Sequence, residues 1–152
     1  MKTFIISILI AALAPSLFSQ NERINCILFI DGKLPTGIYN TYFSYFDSSG
    51  NVRKVDFDYM IGEIQLSSDI KKTLDLLGPG AEITMNLSYK KYDGQSYIYS
   101  GCLKVAFLSY SYLVIRITNL NKKTGEYYFG YSTPGETKKF IKKEYDMFED
   151  YK

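Results

Sequence analysis

Residues 81–92 alternate in period two without a break, with Ile83, Met85, Leu87 and Tyr89 on one side and Glu82, Thr84, Asn86, Ser88 and Lys90 on the other. Only a strand with one buried and one wet face satisfies such a pattern. Asp93-Gly94 follows at once, a type I′ hairpin signal that turns the chain back antiparallel into 96–108.

The same arithmetic extends in both directions. Residues 24–30 form a short apolar run ended by Asp31-Gly32, which reads as a buried strand and a turn, and 38–46 is rich in β-branched and aromatic residues. Asp47-Ser48-Ser49-Gly50-Asn51 closes that strand, and 52–66 continues as strand with Gly62 marking a bulge or break. Ser67-Ser68-Asp69 offers N-cap side chains for a short helix in which Ile70, Leu74 and Leu77 share a face, and Gly78-Pro79-Gly80 stops it. Residues 109–119 carry Leu113, Ile115 and Ile117 on one side, and 126–132 is a last strand. Thr133-Pro134-Gly135-Glu136 matches a capping box with Pro at the first helical position, which predicts an amphipathic helix over about 134–151 with Phe140, Ile141, Tyr145, Met147, Phe148 and Tyr151 in one arc.

The fold class expected from these elements is mainly β: an antiparallel sandwich with a short crossing helix and a C-terminal amphipathic helix. In architecture it resembles immunoglobulin-like or transthyretin-like domains. A small closed barrel of the lipocalin-like carrier type is the alternative, weakened by the lack of any Trp for the early Gly-x-Trp motif common in lipocalins.

Residues 4–14 are apolar apart from Ser7, preceded by Lys2 and ended by Pro15, the layout of a secretory signal peptide cleaved near Ser19. The run is about half of what a membrane-spanning helix needs, so no transmembrane segment is expected in the mature chain. Export of residues 20–152 as a single domain, secreted or periplasmic, follows. Charge is nearly balanced at 18 basic against 16 acidic side chains, unlike that of a nucleic-acid binder.

The chain has no histidine, which removes the imidazole base, the Ser-His and Cys-His nucleophile pairs and the mixed His/Cys zinc sets; two cysteines are too few for a four-thiolate site. Neither a cofactor nor a metal site is expected. In an exported chain Cys26 and Cys102 could form a disulfide contributing roughly 4 kcal/mol, the alternative being two thiols packed as small apolar residues.

The expected function is therefore a binding or interaction module rather than an enzyme, with an unidentified protein or glycan as partner. The tyrosine excess, 15 residues, supplies the candidate site: Tyr110, Tyr112 and Tyr128 beside Arg116, with Tyr42 on a similar face, could form an aromatic platform. The competing explanation is that the C-terminal helix covers that face. Lys138, Lys139, Lys142 and Lys143 stack at i, i+4 on the expected helix, a basic patch suited to an anionic surface. Asp146, Glu149 and Asp150 follow them, the wrong order for a helix macrodipole. Asp56 and Asp58, two apart on a presumed single strand, are the acids a carboxylate-only hydrolase would use, and alternation makes them the wet face instead. Asn86-Leu87-Ser88 matches a glycosylation pattern. Strand addition at an exposed sheet edge is a further route to assembly.

Overall fold

The computed structural model describes residues 21–121 and 124–143. Residues 1–20, where the leader is expected, Lys122-Lys123 and everything beyond Lys143, including the second half of the expected helix, lie outside the described residues. The elements run β1 (Asn21–Ile30), β2 (Ile38–Phe46), β3 (Val52–Asp56), β4 (Asp58–Met60), β5 (Gly62–Ser67), α1 (Ser68–Asp75), β6 (Glu82–Lys90), β7 (Ser96–Lys104), a 3-10 turn (Val105–Ser109), β8 (Leu113–Asn121), β9 (Glu126–Ser132) and β10 (Thr137–Lys143).

Two sheets face each other and do not close into a barrel. One has six strands in the order β10-β9-β8-β1-β5-β4, the other four in the order β3-β2-β6-β7. Every pairing is antiparallel except β1 with β8, which run parallel from Cys26 opposite Leu113 to Ile30 opposite Ile117. Local hairpin signals carry no information about that long-range pair. The described chain is thus mainly β and sandwich-like, with one parallel seam inside its larger sheet.

Alternation builds the core as expected. Ile24, Cys26, Leu28 and Ile30 on β1, Leu113, Ile115 and Ile117 on β8, and Tyr127, Phe129 and Tyr131 on β9 are buried against Phe43, Ile83, Met85, Leu87, Tyr99 and Leu103 of the smaller sheet. Each such side chain contributes about 1.5–3 kcal/mol on full burial. The sheets touch most intimately where Phe129 lies on the backbone of Gly101: a Cβ added there would fall 2.2 Å from the ring. Tyr99 meets Tyr127 edge-on at 5.0 Å, and the Tyr127 hydroxyl accepts from the Ser100 amide at 2.8 Å and donates to its carbonyl at 3.1 Å. These side chains form one contiguous hydrophobic cluster between the sheets.

Helix α1 follows its sequence signals closely. Ser67 is the N-cap, its side chain accepting from the Ile70 amide, and Leu74 is the buried anchor. Two turns differ in detail. At Asp93-Gly94 the hairpin forms, but only Gly94 is left-handed (φ 87°) and the Lys91 amide bonds the Gln95 carbonyl, a longer loop than the two-residue type I′ form. The consecutive left-handed pair is instead Asp31-Gly32, closed by reciprocal bonds between Ile30 and Lys33. Residues 105–109 leave the β7 ladder because the amides of Val105 and Ala106 bond the carbonyls of Ala81 and Pro79.

The C-terminal helix is corrected for residues 137–143, which form strand β10 instead. Thr133 donates its amide to the Glu136 carbonyl at 2.8 Å, so the presumed capping box is a hairpin turn. Thr137 to Lys143 then pair in unbroken register with Ser132 to Glu126. Three forces favour this outcome: glycine in the would-be first turn, lysines at the wrong end of a helix dipole, and a β9 edge whose backbone groups need partners.

The sandwich also separates two of the acids. Asp56 ends β3 in the smaller sheet and Asp58 begins β4 in the larger one, while Phe57 between them is buried 4.5 Å from Phe43, ring to ring. The chain switches sheets at that residue, so the two carboxylates do not share a strand face. Cys26 and Cys102 are both free. Cys26 points into the core from β1, whereas Cys102, opposite Thr84, lies on the face of the smaller sheet turned away from that core. Asn86 is buried and donates to Ser44 and to the Thr84 carbonyl, so its amide is engaged within the fold. No helix among the described residues is long and apolar enough to cross a membrane.

Candidate functional site

The outward face of the six-stranded sheet collects residues of opposite parity to the core. Register aligns them in rows across the strands: Ile27, Val114, Ser132 and Thr137; then Phe29, Arg116, Gly130 and Lys139; then Thr118, Tyr128 and Ile141. Neighbouring strands lie about 4.8 Å apart, so Arg116 and Lys139 rise from backbones about 10 Å apart with Gly130 between them. The missing side chain leaves a basin of about 190 Å³, lined by Arg116, Thr118, Tyr128, Gly130, Ser132, Thr137 and Lys139, with Tyr131 and Lys138 at its margin. A second hollow of about 270 Å³ lies beside it, bounded by Phe29, Gly32, Ile117 and Thr118 and sharing Arg116.

Both cations are steered by aromatic rings. Lys139 Nζ sits 3.8 Å from the centre of the Tyr128 ring, and the Arg116 guanidinium 5.9 Å from that of Phe29. Arg116 also donates to Ser132 Oγ at 3.3 Å, which in turn accepts from the Thr137 hydroxyl at 3.3 Å. Neither cation takes part in an ion pair among the described residues, and no Asp or Glu lines either hollow. Asp31, close in sequence to the second hollow, is occupied by the backbone and side-chain amides of Asn119.

The structure divides the sequence-derived site. Arg116 and Tyr128 share this face as expected. Tyr110 and Tyr112 precede β8 and line neither hollow: Tyr110 packs on Phe107 at 5.6 Å, and both are exposed, at 41% and 44%. Tyr42 belongs to β2 in the other sheet, with Lys54 Nζ 4.9 Å from its ring centre.

The basic patch is divided too, because a strand alternates where a helix would have aligned its lysines. Lys139 joins Tyr128. Lys138, on the opposite side of β10, pairs with Glu136 at 2.8 Å, and Lys142 lines a separate cleft with Glu82 and Cys102. Lys143 stands opposite Glu126 in the backbone register. Glu136 also reaches Lys104 of β7 at 3.2 Å; hydrogen bonds from Lys138 and Lys104 hold its carboxyl below the ordinary range, and the Glu136 bond raises Lys138. Burial raises the Tyr131 phenol beside them. This cluster locks the β9–β10 turn to the smaller sheet.

Reading residues 137–143 at strand period would have exposed the role of Lys139, but the floor at Gly130 and the stacking residue Phe29 depend on pairings between distant strands. No protein-family model matches the chain, and comparison with curated proteins and with solved structures finds no match for it.

Proposed function

We propose that the chain is an exported, non-enzymatic recognition module that engages a partner through the outward face of its six-stranded sheet. The observation that supports it is an open face on which Arg116 and Lys139 flank a glycine-floored basin while Ile27 and Ile141 lie bare at 40% and 62% exposure. Arginine and tyrosine beside exposed apolar surface are the residue types that carry interface energy. The leader-like N-terminus supports export, and the divergence of Asp56 and Asp58 removes the acid pair on which the hydrolase reading depended.

A photoreactive benzoylphenylalanine at Thr118, within the basin, tests the reading against the same group at Thr73 on α1. Irradiation in the native envelope or culture medium should give an adduct of defined mass from position 118 alone. Adducts of equal yield and mass from both positions, or none from 118, refute the assignment of this face.

A further inference from the structure

We infer that the group received between Arg116 and Lys139 is a carboxylate on an acidic, partly apolar peptide segment of a partner protein; the inference rests on the recognition reading above and names its ligand chemistry. The first argument is charge. Two cations project over one glycine with no acid lining the space and no ion pair among the described residues. An oxyanion held in the basin meets cations on both flanks, and Thr118 on β8 and Thr137 on β10 also line it.

The second argument separates an acidic peptide from a sugar. Carbohydrate stacking needs an open aromatic face, but here Lys139 lies over Tyr128 and Arg116 over Phe29, so the charge is presented outward and the rings serve as its seat. Size agrees. At about 190 Å³ the basin is below the roughly 300 Å³ at which small-molecule sites begin, so it admits one group of a larger partner.

The third argument concerns the surroundings. The chain's net charge is only +2, so no broad positive field draws in a membrane or a nucleic acid. Ile27, Val114 and Ile141 flank the cations in the adjoining rows, and they match apolar side chains alternating with the acids of an extended segment.

Fluorescence anisotropy with a labelled alternating aspartate–leucine peptide, its asparagine–leucine counterpart and inorganic sulfate as competitor tests this on the mature chain. The acidic peptide should bind at least about tenfold more tightly than the amide peptide, and Arg116→Gln or Lys139→Gln should each weaken it about five- to tenfold. Lys139→Arg should retain most of the binding, and Lys72→Gln on α1 all of it. Equal binding of the two peptides, or Arg116→Gln and Lys139→Gln proteins with intact thermal transitions and wild-type affinity, overturns the carboxylate assignment. Competition by sulfate at concentrations as low as the peptide's own affinity overturns the peptide in favour of a free oxyanion. A Thr118 adduct that persists when the acidic peptide fails to bind shows that only this inference, and not the recognition face, has fallen.

Discussion

Gly101→Ala tests the packing on which the sandwich depends. The added methyl would lie 2.2 Å, 2.2 Å and 2.3 Å from three carbons of the Phe129 ring, whereas carbon atoms in contact prefer about 3.5–4.0 Å. The ring must therefore retreat by about 1.5 Å. It has little room, since Phe129 is buried and stands between Ile117 on β8 and Phe140 on β10 in the sheet register. Overpacking of this kind costs about 1–3 kcal/mol, and the upper end applies because the obstacle is attached to backbone. With an unfolding entropy near 2.1 cal/mol/K per residue, 3 kcal/mol lowers Tm by about 10 °C for a chain of this size. Reduced chain entropy in the unfolded Ala variant offsets about 0.4–1 kcal/mol of this. Urea denaturation of Gly101→Ala, Phe129→Leu and the double variant isolates the contact. The double variant should be more stable than the sum of the singles predicts by at least about 1 kcal/mol. A Gly101→Ala protein within about 0.5 kcal/mol of wild type, or an additive cycle, refutes the claim that Phe129 packs on the β7 backbone.

Tyr127→Phe removes the hydroxyl that satisfies both polar groups of Ser100; a loss of about 2–4 kcal/mol in urea denaturation and faster concentration-dependent light scattering are expected. Burial pushes the Cys26 thiol up to about 12, so native protein at pH 8 should take up one iodoacetamide per chain, at Cys102, and a second only after unfolding, as read by mass spectrometry. Asp47 is held below the usual carboxylate range first by the Asn51 amide and then by Arg53, and Glu136 by Lys138 and Lys104. Both folded-state values are lowered, so their contribution is present above the ordinary values near pH 4 and is lost as pH falls through the lowered ones. Tm should be level above about pH 5 and fall below about pH 4, and the Asp47→Asn, Glu136→Gln protein should start lower and lose less over that acid range.

Strands with one wet face were legible in the sequence because their information is local. Period-two runs located β6 and β8, and the Ser67 cap located α1. The parallel β1–β8 seam was not legible, since it joins residues more than eighty apart and leaves no turn between them. Residues 137–143 misled for a different reason: Thr133-Pro134-Gly135-Glu136 suits a helix start and a tight turn equally, and the decision fell to the open edge of β9. Half of the candidate site followed from that decision. Arg116 and Tyr128 were readable by parity, whereas Lys139 reached them only because β10 is a strand, and Gly130 had significance only once both neighbours were known.

The sheet edges bear on why the face, rather than strand addition, is the surface to consider. The edge strands of the two sheets are β10, β4, β3 and β7. β10 carries four lysines in seven residues, β4 is three residues long, and β3 includes Arg53 and Lys54 in five. Charge and shortness of this kind discourage edge-to-edge pairing. β7 is long and uncharged until Lys104, yet its central outward-pointing backbone pair at Ser100 is taken by Tyr127 from the opposite sheet. Each edge is thus blunted by charge, by shortness or by a covering side chain, which would bring no advantage to a chain that assembles by donating or accepting strands. On the outward face of the larger sheet Ile27 and Ile141 are exposed, and its two cations are aimed by aromatic rings with no carboxylate partner among the described residues. Protected edges beside a charge-biased face are the combination that favours recognition by side chains over backbone pairing.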